Sequence, residues 1–171
     1  MDVTAGVEIE RLGALSPADA RELAAVLVDV VNDGASVGFL PPLARAEAER
    51  YWRSLPLDQV ILFVARSGGV IVGTVHARLA PLPNARHRAE IAKLMVRTDA
   101  RRRGIANALM RAVEAACREA GRTLLHLDTR DGDAANELYR SLGYVEAGRI
   151  PRYARNPDGT LLTTVLYYKE L

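Results

Sequence analysis

A strand, a helix and a second strand follow one another between residues 89 and 129, and this unit constrains the fold more than any other part of the sequence. Residues 89–96 and 124–129 have the character of strands, whereas apolar residues recur at three- and four-residue steps from 105 to 116. A helix that joins two neighbouring strands makes them parallel, with a right-handed crossover. The sequence therefore predicts an α/β fold, or α+β by a stricter definition, that contains a parallel strand pair.

The remaining elements predict a mixed, mostly antiparallel sheet with helices on its faces. Ser16 and Pro17 are typical of a helix start, because serine caps the first turn and proline is tolerated at the first helical position. The other predicted helices cover residues 45–55 and 134–142, and the other predicted strands cover residues 7–12, 60–66, 70–79, 144–150 and 161–169. The predicted order is β-α-α-β-β-β-α-β-α-β-β, which gives about seven strands and about four helices in a single domain of residues 1–171.

Cysteine and histidine are too few and too scattered to indicate a metal site or a disulfide framework. The single cysteine, Cys117, excludes an internal disulfide and a multi-cysteine zinc site, and its apolar neighbours indicate a buried thiol. The three histidines lack the four-residue spacing of a metal-binding pair on a helix. We therefore expect no metal cofactor.

Charge and hydropathy argue against a membrane or a nucleic acid as partner. No uncharged apolar stretch approaches the ~20 residues that span a bilayer, and the sequence does not open with the basic and apolar segments of a signal peptide. The formal net charge of +2 is too small to indicate nucleic-acid binding by itself. A cytoplasmic location is therefore expected.

The turn between the strand and the helix of the central unit carries the strongest chemical signal. Arg101, Arg102 and Arg103 precede Gly104, and the predicted helix begins there. The first turn of a helix presents unpaired N–H groups and partial positive charge, which together bind phosphate. Gly104 and Ala106 would let a phosphate approach the backbone closely. The segment predicts an anion site, and a solvated run of arginines is the alternative interpretation.

Two motifs resemble those of one enzyme family. Arg101-x-x-Gly104-x-Ala106, after an apolar strand and at the start of an amphipathic helix, resembles the Arg/Gln-x-x-Gly-x-Gly/Ala motif of the GNAT acetyltransferase superfamily. Leu138-Tyr139-x-x-x-Gly143-Tyr144 resembles its second signature, Leu-Tyr-x-x-x-Gly-Phe/Tyr. The motifs stand in the family's order with one strand between them. The resemblance implies a GNAT fold, in which the strand before the basic turn is bulged and splayed from its parallel neighbour.

The resemblance also implies acetyl-CoA as cosubstrate. In the family the loop amides hold its pyrophosphate and the preceding strand pairs with its pantetheine arm. The residues assigned to the cofactor in this way are Leu94, Met95, Val96, Arg101, Arg102, Arg103, Gly104, Ile105, Ala106, Asn107 and Asn136. One departure concerns the asparagine that many members carry seven residues before the tyrosine. Gly132 occupies that position here, and Asn136 lies one helical turn later.

Transfer to an amine needs a base and an acid, because the attacking amine must lose a proton and the departing thiolate must gain one. The candidate bases are Glu90, in the strand before the basic turn, and Asp128, at the end of the next strand. Asp128, or the two carboxylates acting through a water, is preferred, and a surface or capping role is the alternative for each. The resemblance implies Tyr139 as the general acid, with an anchoring aromatic as the alternative.

The acceptor side is predicted in less detail. Phe39, in a glycine- and proline-marked loop over residues 34–42, and Tyr153, before the last hairpin, are candidate substrate contacts. Residues 34–39, 93–96, 124–129 and 157–159 resemble segments of tabtoxin resistance enzymes, a branch of the family that acetylates an amino-acid toxin. This resemblance implies a small primary amine of amino-acid, antibiotic or toxin type. The alternatives are acetylation of a protein or peptide amine, and a non-catalytic CoA-binding regulatory module. A nucleic-acid binder is the least favoured alternative, and the family suggests a homodimer.

Overall fold

The strands and helices follow one another in the order predicted from the sequence. The computed structural model describes residues 6–171, so residues 1–5 of the predicted domain lie outside the described residues. The strands are β1 (Val7–Leu12), β2 (Val60–Ser67), β3 (Val70–Leu79), β4 (Arg88–Val96), β5 (Leu124–Arg130), β6 (Val145–Arg155) and β7 (Leu161–Glu170). The helices are α1 (Pro17–Asn32), α2 (Arg45–Arg53), α3 (Ile105–Glu119) and α4 (Ala135–Ser141). None of them is long and apolar enough to cross a membrane.

The seven strands form one sheet in the order β1-β2-β3-β4-β5-β7-β6. Every neighbouring pair is antiparallel except β4 and β5, which α3 connects and which run parallel. This arrangement follows from chain connectivity, since a helix between two strands returns the chain to the same end of the sheet. The predicted mixed sheet with one parallel pair is confirmed.

One strand extends well beyond its predicted end. The sequence pattern ends the sixth strand at Ile150, whereas β6 continues to Arg155. Pro151 and a left-handed Arg152, with φ of 57°, interrupt the pairing with β7 between Ile150 and Ala154. Proline cannot donate to a ladder, so the sequence signals a break. Pairing resumes beyond the break at Ala154–Leu162 and Arg155–Leu161, next to the turn that joins β6 to β7.

Hydrophobic clusters cover both faces of the sheet. On one face Leu109 and Val113 of α3 pack in a cluster with sheet residues such as Leu125 of β5. On the other face α1 and α2 bury Leu23, Leu27, Trp52 and others against β2 and β3. A fully buried side chain of this size contributes about 1.5–3 kcal/mol. The two clusters thus fix the positions of α1 and α3 relative to the central strands.

Gly73 of β3 sets how closely α3 approaches the sheet. A Cβ atom at this position would lie 3.1 Å from the Met95 carbonyl oxygen, 3.2 Å from Ile105 Cγ2 and 3.3 Å from Leu109 Cδ1. These distances are shorter than ordinary van der Waals contact, and one of the atoms belongs to backbone. The absent side chain therefore allows the first turn of α3 to lie directly on β3 and β4.

We expect Gly73→Ala to lower the free energy of unfolding by about 1 kcal/mol, because the added methyl group overpacks this contact. Gly13→Ala is the matched control, since a Cβ at Gly13 meets no atom within 4 Å. Urea denaturation of both variants measures the difference. Equal stability of the two variants would contradict the close approach of α3.

Candidate active site

The parallel strands β4 and β5 separate partway along their length. They pair only through Arg88–Leu124, Ala89–Leu125 and Glu90–His126. Beyond these pairs β4 continues to Val96 and β5 to Arg130, with no hydrogen-bonded register between them. The facing backbone N–H and C=O groups need other partners. The separation therefore opens a cleft edged by unpaired backbone groups.

A bulge in β4 accompanies this separation. Thr74 pairs with Met95 and His76 with Ala92, so β4 has one more residue than β3 across this interval. Lys93, within the bulge, has a left-handed φ of 53°. The extra residue reverses the alternation of side chains. Ile91 packs in the α3 cluster, whereas Met95, four residues later, packs in the α1 and α2 cluster.

The N-terminus of α3 lies at the mouth of the cleft. Gly104, with a left-handed φ of 70°, occupies the N-cap position and offers no side-chain cap. The first N–H with a helical acceptor is that of Ala108, which donates to the Gly104 carbonyl oxygen at 3.0 Å. The N–H groups of the preceding residues remain available at the positive end of the helix dipole. This geometry is suited to a phosphate group.

Two acidic residues near the end of α1 hold the basic turn in place. The Thr98 N–H donates to Asp29 Oδ2 at 2.8 Å, and Arg101 Nη1 donates to Asp33 Oδ2 at 2.6 Å. These contacts connect the turn to the opposite wall of the cleft. They position Arg101 while neutralising part of its charge.

Two adjoining cavities occupy the cleft. One, of about 590 Å³, lies beside the α3 N-terminus and the basic turn, and we refer to it as the cofactor cavity. The other, of about 570 Å³, lies beyond the bulge under the loop between α1 and α2, and we refer to it as the acceptor cavity. Both are lined by Ala35, Val37, Leu94, Arg130, Asp133 and Ala135. The shared walls make them parts of one continuous site.

The structure brings most of the predicted cofactor residues to the cofactor cavity. Its lining includes Leu94, Met95, Val96, Arg101, Arg102, Gly104, Ile105, Ala106 and Asn107. Arg103 is the exception in the basic turn, because it lines a separate shallow pocket with Arg97 and Asp99. Successive residues of a turn point in different directions, and here Arg103 lies outside the lining that Arg101 and Arg102 share. The placement does not support a cofactor contact by Arg103.

Asn136 is also placed away from the cofactor cavity. Its side-chain amide donates to the carbonyl oxygens of Arg130 at 2.9 Å and Asp133 at 2.8 Å, and its oxygen accepts from Tyr167 Oη at 2.9 Å. Asn136 is buried and both of its amide donors are used. Its placement argues against a direct cofactor contact and indicates that it fixes the turn between β5 and α4.

Tyr139, of α4, lines the acceptor cavity although most of its surface is buried. Its ring packs against those of Tyr144 and Tyr167, with centroids 5.8 Å and 5.9 Å away. Burial, supplemented by the charges of Asp128 and Asp133, raises the pKa of Tyr139. The phenol therefore keeps its proton at neutral pH, as a group that donates a proton must.

Asp128 and Glu90 line the acceptor cavity with Tyr139. Strand β5 extends two residues beyond Asp128, so this carboxylate lies within the separated part of the strand rather than at its end. Thr164 Oγ1 lies 3.0 Å from Asp128 Oδ2 and can donate to it. Glu90 belongs to the last β4–β5 pair, and its carboxylate lies 3.6 Å from Arg78 Nη1.

The loop between α1 and α2 covers the acceptor cavity. Phe39 contributes to the lining and packs edge-on against Tyr51, with ring centroids 5.3 Å apart. Tyr153, from the irregular part of β6, lines the opposite side and is 54% exposed. The predicted substrate contacts therefore both face this cavity.

The sequence analysis assigned no role to three cations that line the acceptor cavity. Arg78 and Lys93 extend from β3 and β4, and Arg130 from the end of β5. Arg130 forms an ion pair with Asp133 at 2.6 Å and donates to the Gly34 carbonyl oxygen at 3.2 Å, which ties the loop to β5. A lysine within the apolar stretch from Ile91 to Val96 was the one available signal.

Comparison with known proteins identifies the family. Residues 26–144 match the model of the acetyltransferase (GNAT) family. The chain is 36% identical over 129 residues to an N-acetyltransferase from the hisH-hisA intergenic region of Azospirillum brasilense, covering 73% of this chain and 76% of the relative. The chain belongs to the GNAT family and is an N-acetyltransferase, an enzyme of the acyltransferase class. The resemblance to tabtoxin resistance enzymes stays a prediction.

Solved structures share the fold over nearly the whole chain. A ribosomal-protein-alanine N-acetyltransferase from Brucella melitensis has a TM-score of 0.81 at 23% identity, with 96% of this chain and 99% of that chain covered. The yncA structure from Salmonella typhimurium, with its cofactor acetyl-CoA, has a TM-score of 0.80 at 16% identity, with 97% and 94% covered. At sequence identities this low, the similarity shows only that the fold is shared.

Acetyl-CoA is the cosubstrate of this family, and the cofactor cavity fits it. The free N–H groups at the start of α3 can bind its pyrophosphate, and the unpaired edge of β4 can bind the amides of its pantetheine arm. Arg101 and Arg102 add positive charge at the same end. Residues 6–171 contain no group of three or more His, Cys, Asp or Glu side chains that could hold a metal ion.

We expect Arg101→Ala to raise the KM for acetyl-CoA about tenfold, the worth of one charge-assisted hydrogen bond. Arg103→Ala is the matched control, because Arg103 lines the separate pocket, and its KM should stay within about twofold. Calorimetric titration with acetyl-CoA gives the same comparison without turnover. If both variants lose affinity for acetyl-CoA to the same extent, the turn acts only through its total charge.

Cys117 lies in the α3 cluster, away from both cavities, and is fully buried. Burial raises the pKa of Cys117 to about 11. At pH 8 the group is therefore a protonated thiol, so we expect the folded protein not to react with an aromatic disulfide reagent. Cys117→Ala should keep kcat within about twofold while losing about 1 kcal/mol of stability. Rapid labelling of Cys117 in the folded protein would contradict this placement. A folded but inactive Cys117→Ala variant would contradict it as well.

Proposed function

We propose that the enzyme transfers acetyl directly from acetyl-CoA to the primary amine of a small molecule. The observation that carries this proposal is the acceptor cavity of about 570 Å³, which adjoins the cofactor cavity under the loop between α1 and α2. Pockets of roughly 300–1,000 Å³ are typical of sites for small molecules. Direct transfer needs no enzyme nucleophile, in keeping with the buried position of Cys117.

The groups on the cavity wall supply a complete path for protons. Asp128 accepts a proton from the attacking amine, either directly or with Glu90 through a water, and the neutral nitrogen then forms the bond to the acetyl carbon. Tyr139 donates its proton to the sulfur as the carbon–sulfur bond breaks, and the nitrogen loses its second proton, which restores the phenol. Because its pKa is raised, Tyr139 is protonated at neutral pH and therefore holds a proton that it can give to the sulfur.

Acetylation of a protein or peptide amine is the second candidate. It is kept because solved structures with this fold include ribosomal-protein-alanine N-acetyltransferases from Brucella melitensis and Escherichia coli. At 23% and 21% identity these enzymes share the fold alone with this chain. The covering loop favours a small acceptor over a chain that must enter and leave the site. The presence of Asp128 and Tyr139 on the cavity wall favours a catalyst over a CoA-binding regulatory module.

The proposal is tested by measuring thiol release from acetyl-CoA with a panel of acceptors. The panel contains amino acids, antibiotics of amino-acid type, polyamines and peptides that begin with alanine. Amino-acid-like amines come first because of the similarity to tabtoxin resistance enzymes. Turnover of a small amine supports the proposal, whereas turnover confined to peptides replaces it with the second candidate. A cytoplasmic location and a homodimer remain predictions, which localisation and light scattering would test.

We expect Tyr139→Phe to lower kcat about 10²-fold with the best acceptor, because the departing thiolate loses its proton donor. Acetyl-CoA binding should not change. The matched control is Tyr144→Phe, whose ring contacts that of Tyr139 but is absent from the lining of both cavities. If Tyr139→Phe keeps the wild-type kcat, the tyrosine is an anchor and not the acid.

A further inference from the structure

Lys93 places an ammonium group in the acceptor cavity with no partner of opposite charge among residues 6–171. Its Nζ lies 5.9 Å from the centroid of the Phe39 ring and 5.4 Å from that of Tyr51. It also lies next to Gly38, where a Cβ would be 3.6 Å from Nζ. The described residues give this nitrogen neither a hydrogen bond nor an ion pair, although the two aromatic faces attract it.

The bulge in β4 is what directs this lysine into the cavity. In an unbroken strand Lys93 would share the face of Ile91 and enter the α3 cluster. The left-handed conformation of Lys93 instead turns its side chain towards Phe39 and Tyr51, which pack with the α1 and α2 cluster. Backbone strain of this kind is typical of functional positions.

The other cations that line the cavity already have partners. Arg130 is paired with Asp133 at 2.6 Å, and Arg78 lies 3.6 Å from Glu90. Arg155 donates to the Gly159 carbonyl oxygen at 3.5 Å, in the turn between β6 and β7. Within the described lining, Lys93 is the one cation with neither an ion pair nor a hydrogen bond.

Lys93 is also unfavourably placed when nothing binds to it. Burial, and secondarily the charge of Arg78, lowers its pKa, although the carboxylates of Glu90 and Asp128 partly oppose this shift. A partly buried ammonium is costly while no anion contacts it directly. A single negative charge delivered by the acceptor would relieve this cost, and a carboxylate is the anion that matches one unpaired ammonium.

We propose that Lys93 binds the carboxylate of the acceptor, so that the substrate is an amino acid or a compound of amino-acid type. This inference rests on the proposed function and assigns its substrate class. In this arrangement the carboxylate lies under the loop between α1 and α2, against Lys93, and the amine points towards Asp128 and Tyr139. Phe39 and Tyr51 hold the lysine side chain in place for this contact.

The test compares each amino acid of the panel with its C-terminal amide, which keeps the amine and lacks the negative charge. Wild type should prefer the acid. We expect Lys93→Met to raise the KM for the acid about tenfold or more, with little change in kcat and no more than about twofold change for the amide. Lys93→Arg should recover most of the affinity, because it restores the cation. Arg21→Met, which removes an exposed cation of α1 outside both cavities, is the control.

Thermal unfolding and acetyl-CoA titration show that each variant is folded and binds its cosubstrate. An equal effect of Lys93→Met on acid and amide, no effect on either, or wild-type turnover confined to amines without a carboxylate would overturn the assignment while leaving the proposed function intact. If wild type binds acetyl-CoA but acetylates no small amine, the proposed function fails and this assignment fails with it.

Discussion

Hydrogen bonding between β4 and β5 ends at Glu90 and His126, and every part of the site depends on this interruption. A parallel pair that continued along both strands would bury its backbone groups in the sheet and leave no cleft. The bulge at Lys93 and the helix that crosses between the two strands hold the separated edges apart. Regular strand pairing is thus interrupted at the centre of the sheet, and the interruption forms a groove whose walls are rigid elements.

Charge is distributed unevenly along this groove. At one end, free N–H groups of α3 and the arginines of the basic turn create an environment for phosphate. Asp29 of α1 and Asp33, which directly follows α1, position that turn by direct contacts. At the other end, Asp128, Glu90 and Lys93 place charges of both signs around the acceptor cavity. A zwitterionic acceptor matches the second environment as a pyrophosphate matches the first.

The loop between α1 and α2 connects substrate selection to the fold. It contributes Phe39 to the cavity, passes Gly38 over the lysine, and is tied to β5 through the Gly34 carbonyl oxygen and Arg130. A side chain at position 38 would approach the Lys93 ammonium. The same short segment therefore covers the acceptor and positions the groups that would recognise it.

Much of this protein is determined by local sequence. Ser16 and Asp19 form the capping box that begins α1, and apolar periodicity places α3 and its anion-binding start, because these features depend on neighbours a few residues away. Only the tertiary structure decided three other features. Arg101 lines the cofactor cavity whereas Arg103 lines a separate pocket, Asn136 makes internal hydrogen bonds, and the Lys93 side chain takes a direction set by the bulge. A turn, a buried network and a bulge each reorient side chains through contacts with distant strands. Alternation along the chain cannot reveal such contacts.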